Sequence, residues 1–158
     1  MGIIKGDELV AANEKHSAGQ ITVQGKKVFQ YLFVPANTEK GEILVRSYDG
    51  DEEYNPKALA AATATFGQKI VVASEDQGST AGFQWCIIEG NCEALVDGTT
   101  DVAKDDFLEV LNGADGLTKD GSSRSGGSVA IAREAQTTNS DVLTDVYVFS
   151  ETATIAAS

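Results

Sequence analysis

The sequence predicts an all-β fold, either a β-barrel or a β-sandwich, with one short helix and an N-terminal arm. Short apolar-rich runs follow one another through residues 82–149 and are separated by Gly, Asp, Asn and Thr. In residues 142–149, β-branched residues occupy every second position (142, 144, 146 and 148), which is typical of one face of a strand. Many short strands with frequent turn signals indicate a barrel or a sandwich.

The chain of 158 residues fits one domain. Because no repeat or composition break marks a second domain, we predict a single β-rich domain over residues 20–158. Residues 1–19 hold scattered apolar positions, and residues 7–13 suit a helical turn or two. We predict that residues 1–19 are an N-terminal arm, ordered only where it packs against something.

The strand candidates lie between turn signals. Residues 24–26 contain a glycine suited to a tight turn, and Gly90-Asn91 suits a hairpin loop. Residues 83–89 and 92–96 are therefore predicted to form a hairpin. The other predicted strands are residues 20–23, 27–34, 42–46, 69–73, 129–132 and 142–149.

One helix is well signalled between Asn55 and Gly67. Asn55 is a suitable N-cap, and Pro56 suits the first helical position. Residues 57–62 are strong helix formers, and Gly67 is a stop signal. We predict a short helix that plugs or flanks the β core.

Residues 101–111 permit two interpretations. Their apolar spacing favours an amphipathic helix capped by Asp101. Alternatively, residues 104–106 form a turn that leads into a strand over residues 107–111. Residues 112–128, rich in Gly, Ser and Asp, are predicted to form a mobile loop.

The net charge of −12 is the strongest bulk property. Such a surface repels nucleic acid backbones and anionic lipid, so we expect neither nucleic acid nor membrane as a partner. It suits solubility and an electropositive protein partner. No apolar run approaches the ~20 residues of a membrane-spanning helix, and the N-terminus lacks the pattern of a secretory signal.

Residues suited to catalysis or metal binding are sparse. His16 is the only histidine, and nothing near it in the sequence completes a catalytic relay. Two cysteines, Cys86 and Cys92, with one distant histidine do not make a standard zinc site. We predict no catalytic, cofactor-binding or metal-binding residues and no cofactor, and hence a protein that is not an enzyme.

The pairing of Cys86 and Cys92 depends on the predicted hairpin loop. With a two-residue loop at Gly90-Asn91, Cys86 faces Leu95 and the thiols are not cross-strand partners. A longer loop centred on Glu89 would pair them. We expect free, buried thiols, as in a reducing cytoplasm.

Acidic residues form several groups in the sequence. Residues 48–53 lack the alternating ligand positions and the terminal glutamate of an EF-hand. Two sets of acidic residues have the residue types of a glycosidase carboxylate pair, so a small hydrolase is a further hypothesis, ranked third after the two given below. Such sets are inevitable in a chain with 24 acidic residues. They are Asp105-Asp106 with Glu109, and Asp97 with Asp101.

Several aromatic residues would line a sugar platform if they were exposed. Alternation places Phe83 and Trp85 on one face of their strand, and we expect most of the group to lie in the core. The group is Tyr31, Phe33, Phe83, Trp85 and Tyr147.

Five stretches of the C-terminal half share the character of one known family, namely residues 82–87, 93–102, 104–110, 129–135 and 142–148. Through these stretches, which cover less than half of the chain, the sequence resembles the small capsid decoration, or cement, proteins of tailed bacteriophages. The resemblance implies a β-barrel or β-sandwich module that trimerises on the outer capsid surface of the virion after synthesis in the host cytoplasm. It implies the major capsid protein as partner and no catalytic residues, and it favours the strand over residues 107–111.

The leading hypothesis is therefore a structural cement protein that bridges capsid subunits, with residues 1–19 contacting a neighbouring subunit. The alternative is an extracellular carbohydrate-binding or adhesin-like β-sandwich module. That alternative predicts exposed aromatic residues clustered on one face.

Overall fold

The computed structural model describes residues 10–11, 16–47, 57–60, 69–110, 115–120 and 128–149. These residues form eleven strands and no helix. The strands are β1 (Val10–Ala11), β2 (Ile21–Gln24), β3 (Lys27–Val34), β4 (Ile43–Ser47), β5 (Lys57–Ala60), β6 (Ile70–Val72), β7 (Gly82–Asp97), β8 (Phe107–Val110), β9 (Leu117–Lys119), β10 (Ser128–Ala132) and β11 (Asp141–Val148).

The long strand β7 has 16 residues and takes part in two closed rings of strands. Its first half pairs with β3 and β6, and β4 and β5 complete the first ring. Its second half pairs with β11 and β9, and β8 and β10 complete the second ring. The fold is thus an all-β barrel architecture in which two five-stranded rings share β7. Ring closure removes the free sheet edges of these strands.

The hairpin predicted around Gly90-Asn91 is wrong, because β7 runs through both residues without turning. Val28 of β3 pairs with Glu89 and Val148 of β11 pairs with Gly90, so β7 changes its partner there. Gly90 has a φ of +112°, and a Cβ atom at this position would lie 2.5 Å from the carbonyl oxygen of Lys26. The glycine therefore permits a close approach to the β2–β3 turn.

The helix predicted between Asn55 and Gly67 is wrong over residues 57–60, which form β5. The rest of that segment lies outside the described residues. β5 pairs with four residues of β4 and touches β3 at Phe33. By pairing with β4 and β3, β5 satisfies backbone N–H and C=O groups of these two strands. This stabilisation outweighs the helix propensity of the alanines in β5.

Two further predictions need correction. Val10–Ala11 pair with β7 as strand β1, where a helical turn was expected, and residues 1–9 and 12–15 lie outside the described residues. Within the predicted mobile loop, residues 117–119 form β9 because Leu117 is fully buried in the second ring.

Other predictions are confirmed. Six predicted strands match β2, β3, β4, β6, β10 and β11 to within a residue or two. Residues 104–105 form a turn, with Asp105 at a φ of +70°, and lead into β8. This is the turn-and-strand interpretation of residues 101–111, of which Leu111 lies outside the described part.

Both faces of the first ring are buried. Cross-strand partners share a face, and one face carries Tyr31 opposite Trp85 whereas the other carries Leu32 opposite Gln84. The aromatic face belongs to a cluster that continues into the second ring through Ala94, Val96, Leu108, Leu117, Val146 and Val148. A continuous apolar core through both rings supplies the main stabilisation of such a fold.

Candidate functional site

The outer face of the second ring carries a set of partly exposed apolar side chains. In β11, Val146 and Val148 are buried, so the alternating Tyr147 lies on the outer face. Ile131 of β10 pairs with Tyr147 on one side and with Phe107 of β8 on the other. These three side chains thus form a row across three neighbouring strands, and all are partly exposed.

Phe149 extends this row. Its ring centroid lies 5.8 Å from that of Tyr147 and 6.5 Å from that of Phe107, distances typical of interacting aromatic rings. We call Phe107, Ile131, Tyr147 and Phe149 the apolar strip. Of the aromatic residues singled out in the sequence, Tyr147 alone belongs to it.

A cleft of about 320 Å³ lies beside the strip. It sits where β7 changes its partner from β3 to β11. Asn91, which lines the cleft, is the cross-strand partner of Tyr147, so cleft and strip adjoin. The lining residues are Lys27, Asn91, Cys92, Arg133, Asp145 and Val146. We call the strip and the cleft together the composite surface.

The charged residues of the cleft are two cations and one anion. The backbone N–H of Arg133 donates to the carbonyl of Asp145 at 2.7 Å, which holds these residues side by side. Among the described residues, neither Lys27 nor Arg133 forms a side-chain ion pair. The carboxylate of Glu134, outside the lining, accepts the backbone N–H of Asp145 at 2.9 Å.

The negative charge of nearby Glu93 is balanced by an ion pair with Lys40. Lys40 donates to its carboxylate at 2.6 Å, and this hydrogen bond lowers the pKa of Glu93. Glu93 also lies opposite Asp145 on β7 and close enough to Lys27 to interact with its charge. In the described part of the chain, Lys27 and Arg133 are the cations of this region without a side-chain ion pair.

Cys92 forms part of the floor of the cleft, and Cys86 lies in the core. Both are free and buried, as the sequence predicted. Burial raises the pKa of Cys92 to about 12 and also raises that of Cys86, so both thiols stay protonated near neutral pH. Cys92 therefore offers a neutral, apolar surface.

The remaining aromatic candidates belong mainly to the core. Trp85 is 2% exposed and Tyr31 is fully buried, which confirms the core assignment, whereas Phe33 and Phe83 are partly exposed. The ring of His16 packs 5.1 Å from Tyr31 and 5.2 Å from Trp85. The structure thus places the only histidine of the chain in aromatic packing.

The carboxylate sets of the hydrolase hypothesis take part in local structure. Asp106 pairs with Lys119 at 2.7 Å, and the hydrogen bond from Lys119 lowers the pKa of Asp106. Asp97 accepts hydrogen bonds from the backbone and the hydroxyl of Thr99. Glu109 lies partly buried on the outer face of β8, and burial raises its pKa. Among the described residues, no group of three or more His, Cys, Asp or Glu could hold a metal ion.

A second candidate surface is the side of β2 that faces away from β3, which we call the β2 edge (residues 21–24). Among the described strands, β2 pairs with β3 alone. A two-residue turn, with Gly25 at a φ of +59°, makes Gln24 and Lys27 a hydrogen-bonded pair. By alternation, the backbone N–H and C=O groups of Ile21 and Val23 point away from β3.

The side chains of the same two residues are exposed as well. Ile21 is 56% exposed and Val23 is 46% exposed, the largest values among the described large hydrophobic residues. No charged residue occurs in residues 17–25 of this acidic chain. The β2 edge therefore lacks the charges that usually protect an edge strand from pairing.

The part of the chain that the structure describes contains no helix with the length and hydropathy needed to cross a membrane. No protein-family model matches the chain, and no curated protein shows significant similarity to it.

Proposed function

We propose that the protein is a structural cement protein that attaches to the outer surface of a phage head through its β2 edge and bridges capsid subunits. The observation that carries the proposal is the uncharged β2 edge, where the outward backbone groups of Ile21 and Val23 lie beside their two exposed apolar side chains. Such an edge suits the addition of an extended strand from another protein. The resemblance of residues 82–149 to capsid decoration proteins supports the phage head as the target.

The major capsid protein is the proposed partner. A net charge of −12 favours a basic patch on that partner through long-range attraction. Four residues of edge strand give only a small contact, whereas a stable interface buries roughly 800 Å² per partner. Many identical contacts on one shell, or a homotrimer that presents three edges, would supply the missing affinity through avidity.

The first test is quantitative mass spectrometry of purified particles from the source of this chain. We expect a fixed, large ratio of this protein to the major shell protein. Absence from the particles would overturn the proposal.

A second test addresses the β2 edge. We expect Val23→Lys to abolish binding to heads that lack the protein, because a charge on the edge opposes strand addition. The matched control is Val142→Lys, which changes an exposed valine of β11 whose backbone pairs with β7. Equal binding of the two variants would show that the β2 edge is not the attachment surface.

The composite surface favours a second candidate function, that of a carbohydrate-binding module. Partly exposed aromatic rings beside polar groups are the features that this hypothesis requires. The two functions use different surfaces, so a single protein can carry both.

A further inference from the structure

We infer that the composite surface binds a sugar ring that carries a carboxylate, such as a uronic acid unit of an acidic polysaccharide. This inference rests on the second candidate function, carbohydrate binding, and does not depend on attachment to a phage head. It identifies the chemical class of the sugar from the charges of the cleft.

The apolar strip supplies the stacking surface. One face of a pyranose ring carries mainly C–H groups, which pack against aromatic rings, while its hydroxyls stay available to polar partners. Tyr147 lies at the centre of the strip, between Ile131 on β10 and Asn91 on β7. A ring stacked on Tyr147 therefore has its edge next to the cleft.

The cleft supplies polar partners on that edge. Its volume of about 320 Å³ is at the lower end of the range for small-molecule sites, which suits one sugar unit. The amide of Asn91 both donates and accepts, and the carboxylate of Asp145 accepts from hydroxyls. Mixed donors and acceptors suit the hydroxyls of a sugar better than they suit a lone carboxylate group.

Lys27 and Arg133 account for the carboxylate. Both line the cleft, and neither is paired with an acidic side chain among the described residues. Arginine binds a carboxylate with two parallel hydrogen bonds, and lysine adds a point charge. The lining itself carries two cations against one anion, Asp145, although Glu134 and Glu93 lie close to Asp145. At physiological salt, acidic groups farther than about 8 Å from the cleft are largely screened.

The experiment titrates uniformly ¹⁵N-labelled full-length protein with two probes that differ only in the carboxylate, methyl β-glucuronide and methyl β-glucoside. Amide shifts are followed by NMR. We expect saturable shifts at Asn91, Ile131 and Tyr147, with the glucuronide bound about tenfold more tightly, since a hydrogen bond to a charged group contributes about that factor.

Three variants separate the contributions. Arg133→Gln should remove the preference for the glucuronide and leave glucoside binding intact, whereas Tyr147→Ala should weaken both. Lys104→Gln, an exposed lysine outside the cleft lining, is the charge-matched control and should behave as wild type.

The outcomes separate this inference from the function on which it rests. Equal binding of both sugars overturns the carboxylate preference and leaves carbohydrate binding standing. No saturable shift with either sugar overturns both. If N-acetylglutamate binds as tightly as the glucuronide, the surface recognises an acidic peptide and the sugar assignment is wrong.

Discussion

The partner exchange of β7 at Gly90 makes a quantitative prediction. Replacing Gly90 by alanine places a methyl group 2.5 Å from the carbonyl oxygen of Lys26 and 3.1 Å from the Cα of Lys27, both backbone atoms. A positive φ costs a non-glycine residue about 1–2 kcal/mol, and forcing an extra methyl into a packed site costs about 1–3 kcal/mol more. We expect Gly90→Ala to destabilise the fold by about 2–5 kcal/mol, a large part of a typical ~5–15 kcal/mol stability.

Two other glycines separate these two costs. Gly25 has a φ of +59°, but a methyl group added there would meet no neighbouring atom within 4 Å, so Gly25→Ala measures the backbone cost alone. Gly78 has neither a left-handed φ nor a close neighbour, and Gly78→Ala should lie within about 0.5 kcal/mol of wild type.

The assay is urea denaturation of the full-length protein, with the free energy of unfolding taken from variants of equal m-value. The expected order of destabilisation is Gly90→Ala, then Gly25→Ala, then Gly78→Ala. If Gly90→Ala cost no more than Gly25→Ala, the β2–β3 turn would not lie against β7, and the junction of the two rings as described would be refuted.

Two further predictions concern the core and a buried carboxylate. Leu108 is fully buried, so Leu108→Ala should cost about 2–5 kcal/mol in the same denaturation assay, whereas Val142→Ala at an exposed position should cost less than about 1 kcal/mol. Burial is the main cause that raises the pKa of Glu42, so its folded-state contribution to stability is fully present below its unfolded pKa of about 4.3 and is lost as pH rises through the raised value. Glu42→Gln should therefore flatten the loss of stability as pH rises above about 4, and an unchanged slope in denaturations over that rise would contradict the assignment.

The strands were predictable where their signal is local. β3 and β11 alternate or carry β-branched and aromatic residues between clear turns, and the structure has them within one residue of the predicted bounds. β5 was not predictable because its alanines favour a helix, and only pairing with β4 and β3 makes it a strand. Gly90 suits a turn locally, and its role in a close approach depends on a segment distant in sequence.

The composite surface was only partly predictable for the same reason. Tyr147 was identified as a candidate, but its neighbours Phe107 and Ile131 depend on the strand order β8–β10–β11. Lys27 and Arg133 meet in the cleft because β7 joins two rings. Alternation in β11 does predict that Asp145 and Tyr147 share a face, which was the available signal.

The two candidate surfaces lie on different parts of the fold, and this makes their independence testable. β2 is attached to the first ring through β3, whereas most of the composite surface lies on the second ring. Lys27 is adjacent to both surfaces, since it pairs with Gln24 and lines the cleft. Val23→Lys should therefore abolish head binding and leave the affinity for the glucuronide unchanged, while Arg133→Gln should leave head binding unchanged and lower the affinity for the glucuronide to that for the glucoside. If the two sites are independent, their effects are additive, so the double variant should lose head binding and the glucuronide preference by the amounts of the single variants. Loss of both in either single variant would show that the β2 edge and the cleft act as one surface through Lys27.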